Sequence, residues 1–95
     1  MKLLIVEDEV ASRKKLEILI KGLGYEPLIA TNGMEGWNLW KSERPKIVIT
    51  DWIMPEMDGL ELCRKIRQAE GSQYTYLIIV TAKANTQDII EGMNA

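Results

Sequence analysis

Short, unbroken apolar runs alternate with amphipathic stretches along this chain. Lys2 to Val6 is a continuous branched apolar run closed by Glu7-Asp8-Glu9, the pattern of a strand buried on both faces. From Val10 to Leu23 the apolar residues Leu16, Leu19, Ile20 and Leu23 recur at i, i+3, i+4 and i+7, with Arg13, Lys14, Glu17 and Lys21 between them. This spacing predicts an amphipathic helix ended by Gly22 or Gly24. Tyr25 to Ala30 gives a second strand. Thr31-Asn32-Gly33 then opens a second helix carrying Gly36, Trp37 and Trp40 on one side and stopped by Pro45. Ile47 to Thr50 is a third strand that delivers Asp51 to its C-terminal end. After a loop from Trp52 to Asp58, Gly59 to Gln68 forms a third helix with Leu60, Cys63 and Ile66 inward. Leu77 to Val80 is a fourth strand ending at Thr81, and Thr86 to Met93 begins a fourth helix. Strands alternating with helices in this way imply right-handed βαβ crossovers and a parallel sheet covered on both faces.

Ninety-five residues suit one small domain, residues 1–95, and 46% hydrophobic with 27% charged content is enough apolar material to fold it. Twelve basic residues are interleaved with fourteen acidic ones, for a net charge of -2, so no basic stripe is present and nucleic-acid binding by this chain is not expected. The first apolar run is too short for a signal segment or a membrane span, and acids follow it at once. A single cysteine, Cys63, excludes an internal disulfide, and with no histidine there is no zinc-type ligand set. A cytoplasmic location fits that composition.

In open α/β sheets ligands bind beyond the carboxyl ends of the strands, which here carry Glu7, Asp8, Asp51 and Thr81. If the first and third strands are neighbours, Asp8 and Asp51 converge, and carboxylates that close repel one another unless a cation neutralises them. Oxygen donors without sulfur or nitrogen suit Mg2+, which retains waters and leaves a position for a phosphoryl oxygen.

An acidic pair after the first strand, Asp51-Trp52-Ile53-Met54-Pro55-Glu56-Met57-Asp58-Gly59 after the third and Thr81-Ala82 after the fourth closely resemble the receiver domains of bacterial two-component response regulators. The resemblance spans nearly the whole chain. It implies a flavodoxin-like, doubly wound parallel sheet of strand order 2-1-3-4, and a phosphoacceptor signalling domain rather than an enzyme. Asp51 would be the phosphoacceptor. Asp8, Asp51 and the Ile53 backbone carbonyl would bind Mg2+ directly, with Glu7 holding a metal-bound water. Thr81 would place its hydroxyl on a phosphoryl oxygen and couple phosphorylation to the surface around the fourth helix. With no histidine in the chain, the phosphohistidine must sit on a sensor histidine kinase or a phosphotransfer protein. The family continues through a fifth strand, a lysine-proline pair and a fifth helix, and this sequence stops at Ala95 before them. The expectation is therefore a truncated receiver that self-associates through its exposed fourth-strand edge or packs against a complementary fragment.

Other residues carry plainer readings. Trp37 and Trp40 are packing residues, Cys63 a buried inert thiol, and Lys83 a surface lysine, while Trp52 flanks the site. Pro55 and Gly59 are backbone devices. The alternative function is a receiver that takes no phosphoryl group and serves as an interaction or assembly module. An aspartyl-nucleophile phosphatase would need an acid two residues after Asp51, where Ile53 stands. A flavin carrier would need a hydroxyl- and glycine-rich loop where this chain has three acids.

Overall fold

The computed structural model describes residues 1–54 and 56–80. Pro55, Thr81, Lys83 and the helix expected over 86–93 lie outside the described residues. The elements run β1 (Lys2–Val6), α1 (Val10–Gly22), β2 (Glu26–Ala30), α2 (Gly33–Glu43), β3 (Ile47–Asp51), α3 (Gly59–Ala69) and β4 (Tyr76–Val80). Each agrees with the sequence pattern to within a residue or two at its ends. The four strands form one parallel sheet in the order β2-β1-β3-β4, the expected flavodoxin-like arrangement.

The central strands β1 and β3 bury both faces, and each face has its own core. Leu4, Val6 and Val48 pack with Trp40 of α2, Leu62 and Ile66 of α3, and Met54 and Met57 of the loop between β3 and α3. Leu3, Ile5 and Ile49 pack on the opposite face with Ile20 of α1. The helices therefore lie on both sides of the sheet, as right-handed crossovers require.

Local chemistry fixes where α2 and α3 begin. The Asn32 side chain accepts the Glu35 N–H at 2.8 Å, and the Glu35 carboxylate reaches back to accept the Thr31 N–H at 3.0 Å. Asp58 caps α3 by accepting the Glu61 N–H at 2.8 Å. Glu35 and Glu61 also put negative charge on the positive ends of those helices.

Three packing expectations change. Leu16 and Ile20 of α1 face the sheet, but Leu19 is 56% and Leu23 64% exposed, because α1 covers only part of its sheet face. On α3 the buried apolar residues are Leu62, Cys63 and Ile66, whereas Leu60 is half-buried. The apolar β4 run, which reads as buried on both sides, buries Ile79 and exposes Tyr76, Ile78 and Val80.

Candidate functional site

The sheet reverses its winding between β1 and β3, since β2 lies to one side and β4 to the other. A crevice opens at the carboxyl ends of strands at such a point. The β1–β3 register pairs Leu3 with Ile47 and Val6 with Thr50, so one further step brings Glu7 opposite Asp51. A carboxylate oxygen from each of Glu7, Asp8 and Asp51 lies within 4.8 Å of the other two. Glu7 is 7% exposed, Asp51 half-buried and Asp8 exposed. The three acids singled out from the sequence are thus brought together.

Among the described residues, the surroundings hold these groups without an ion pair to neutralise them. The Trp52 N–H donates to Asp51 Oδ1 at 2.8 Å, and the Glu9 N–H donates to Glu7 Oε2 at 3.2 Å. Arg13 directs its guanidinium at main-chain oxygens of the same loop, 3.1 Å from the Glu7 carbonyl and 3.5 Å from that of Asp8. Among the described residues, the ion pairs join Lys2 to Glu43, Lys21 to Glu17 and Arg67 to Glu70, and none reaches the cluster.

Burial first, and the neighbouring negative charges after it, show in the carboxyl groups themselves. Burial pushes Glu7 up to about 7, the Glu9 N–H pulls it back, and the Asp51 charge pushes the same way as burial. Burial also raises Asp51, against hydrogen bonding from Glu7 and the Trp52 N–H, while the charges of Asp8 and Glu9 raise it further. An all-oxygen pocket that resists its own negative charge fits a hard divalent cation such as Mg2+.

Ile53 stands two residues beyond Asp51 and is 65% exposed, and Trp52 is half-buried beside the site. Thr81 directly follows the last described residue of β4 and lies outside the described residues. Trp40 is buried and stacks on half-buried Trp37 with ring centroids 5.7 Å apart, so both serve packing as expected. Burial pushes the Cys63 thiol up to about 11, well above the range of a reactive thiolate.

Two features escaped the pattern reading. Arg13 reads as one of several polar positions on α1, yet it braces the loop that carries both acids; its place six residues after Glu7 was the available signal. Gly59 does more than begin a helix. Its N–H donates to the Trp52 carbonyl at 2.7 Å, and a β-carbon there would overlap the Asp51 carbonyl oxygen.

Comparison with known proteins agrees with this geometry. The family model of the response regulator receiver domain matches residues 3–95. A chemotaxis protein CheY homolog of Campylobacter jejuni is 37% identical over 97 residues, a match covering 100% of this chain and 75% of that protein. The chemotaxis protein CheY1 of Helicobacter pylori is 35% identical, with 100% and 78% covered. Among solved structures, the chemotaxis response regulator CheY4 of Vibrio cholerae superposes with a TM-score of 0.86 at 26% identity, covering 98% of this chain and 78% of that one.

Proposed function

Because this chain belongs to the response regulator receiver family, whose members are signalling domains, we propose that residues 1–95 form a phosphoacceptor that binds Mg2+ and takes a phosphoryl group onto Asp51. The observation that carries the reading is the convergence of Glu7, Asp8 and Asp51 at the switch point of the sheet, with no cation from the described residues among them.

Asp51 is the nucleophile because its first oxygen is held by the Trp52 N–H, which leaves the second to attack. Glu7 is the most deeply buried acid of the three, and that burial, with the Asp51 charge beside it, raises its pKa to about 7. Mg2+ held by Asp8, Asp51 and the Ile53 carbonyl, with Glu7 on a metal-bound water, would neutralise charge on the phosphoryl oxygens. In the transfer, an oxygen–phosphorus bond forms at Asp51, and the phosphorus–nitrogen bond of a phosphohistidine breaks. Its electron pair stays on the imidazole, which takes up a proton. Positioning and charge neutralisation suffice for such a step. Thr81 supplies its hydroxyl to a phosphoryl oxygen.

The donor is a sensor histidine kinase or phosphotransfer protein, the kind of partner receiver domains generally use, and the chain's own chemistry extends only to gaining and losing its phosphoryl group. None of the described helices is long and apolar enough to cross a membrane. The proposal puts the chain in the cytoplasm, where a free thiol such as Cys63 stays reduced. Incubation with acetyl phosphate and Mg2+ tests the reading. Intact mass should rise by one phosphoryl group in the wild type and not in Asp51→Asn, and an unlabelled wild type would overturn it.

An interaction role through β4 is favoured by one specific observation, the exposure of Tyr76, Ile78 and Val80 on a strand whose outer edge pairs with no described strand. The β4 edge of a second copy, or a strand of a complementary fragment, would pair with that edge. Light scattering on residues 1–95 at micromolar concentration should show a dimer, and a monodisperse monomer would exclude self-association.

A further inference from the structure

Gly33 opens α2 well away in sequence from the acidic cluster, and nothing in its own conformation calls for glycine. Its φ is not positive, unlike those of Gly24 and Gly71, and glycine is a poor helix former. The explanation lies across the contact it makes. A β-carbon at residue 33 would overlap the Met57 carbonyl oxygen and sit 2.8 Å from Met57 Cβ and 3.0 Å from the Met57 carbonyl carbon. The first residue of α2 therefore rests directly on the backbone of the loop between β3 and α3.

That loop has nowhere to retreat. The Met57 and Met54 side chains are anchored in the core beneath it. Glu56, just before Met57, has φ 69, in the left-handed region that non-glycine residues avoid, so the segment is already held under constraint. At its far end Gly59 closes onto Trp52 through the 2.7 Å hydrogen bond and lies against the Asp51 backbone. Nor can α2 withdraw easily. A β-carbon at Gly36 would lie 2.7 Å from Val6 Cγ2, and Trp40 is buried, so the helix is seated on the sheet.

We propose that Gly33 is a positioning residue for the acidic site: α2 acts as a backstop for Met57 and thereby sets how the Trp52 N–H presents the Asp51 carboxylate. Its effect on transfer rests on the reading of Asp51 as phosphoacceptor; its effect on the loop does not. Gly33→Ala adds one carbon that the backbone of Met57 must escape, and a misplacement of about 1 Å at a reacting group can cost about a hundredfold in rate.

The test uses 5-fluorotryptophan-labelled protein, with the Trp52 resonance assigned by Trp52→Phe. Gly33→Ala should shift that resonance in metal-free protein and slow labelling by acetyl phosphate by about ten- to a hundredfold, while a cooperative melt shows the fold intact. Gly22→Ala, whose added carbon meets nothing within 4 Å, should do neither. If Gly33→Ala does not fold, Asn32→Ala loosens the same backstop by removing the α2 cap, and it should shift the Trp52 resonance and speed amide exchange at 57–59. An unmoved Trp52 resonance in a folded Gly33→Ala or Asn32→Ala protein overturns the proposal. So does a shifted resonance with wild-type labelling. Should the wild type take no label, the phosphoacceptor reading fails and the Trp52 resonance alone decides whether α2 sets the loop.

Discussion

Replacing Glu7 by glutamine removes one charge from the acidic cluster while keeping an oxygen that can accept the Glu9 N–H. An acid whose pKa is higher in the folded state than in the unfolded one contributes stability while protonated. For Glu7 that contribution is complete below about 4.5 and is lost as pH rises through about 7. Most of that shift comes from burial of the charged carboxylate, and the interval corresponds to about 3 kcal/mol at about 1.4 kcal/mol per pKa unit. Coulomb's law gives a compatible scale: two carboxylates 4.8 Å apart repel by about 3.5 kcal/mol at an effective dielectric constant near 20 and by about 1 kcal/mol in bulk water. Asp8 is exposed and its charge is screened, so the expected gain is about 2 kcal/mol. In metal-free buffer near pH 8, thermal melts should place Glu7→Gln about 8 to 16 °C above the wild type, a difference that largely disappears near pH 5. Saturating Mg2+ should narrow the difference from the other side, since an ion stabilises the folded state with the logarithm of its concentration over Kd and the wild type keeps the full set of acids to bind it. Equal melting of the two proteins at pH 8 without metal would show that the cluster carries no unrelieved charge.

Asp8→Asn should weaken Mg2+ binding, read by titration of Trp52 emission, and should raise the metal-free melting temperature by less than Glu7→Gln because Asp8 is exposed; unchanged affinity would remove Asp8 from the metal site. Thr75→Val strands the Trp40 indole N–H, which donates to Thr75 Oγ at 3.2 Å in the interior, and should cost about 1 to 3 kcal/mol in denaturant unfolding. A neutral result would mean that the indole finds another acceptor. Thr81→Ala should slow labelling by acetyl phosphate without abolishing it, whereas complete loss would make Thr81 more than a hydrogen-bond donor.

The sequence was most legible where one interaction dominates. Ile47-Val48-Ile49-Thr50 can be little other than a strand buried on both faces, and a strand so buried must deliver Asp51 to the sheet's end. The acidic run after Val6 reads the same way, and the β1–β3 pairing then forces the two ends together. Periodicity was less informative about coverage. It puts Leu16, Leu19, Ile20 and Leu23 on one stripe of α1 but says nothing of how much sheet that helix spans, so Leu19 and Leu23 are exposed. On α3, Leu62 and Ile66, one turn apart, pack into the core shared with Trp40, Met54 and Met57, and that contact across the fold buries Leu62 rather than Leu60. Gly33 and Arg13 were hidden for a related reason. Each acts on a loop main chain brought near by the fold, and no local pattern encodes a contact of that kind.

The central claim is that Asp51, rather than a neighbouring acid, takes the phosphoryl group. Borohydride reduces an aspartyl phosphate to homoserine, so peptide mapping after acetyl phosphate, Mg2+ and borohydride reads the modified position directly. Homoserine at residue 51, and none at residue 8, is the result the account predicts. Homoserine at residue 8, or no reduction product in protein that has bound Mg2+, would contradict it.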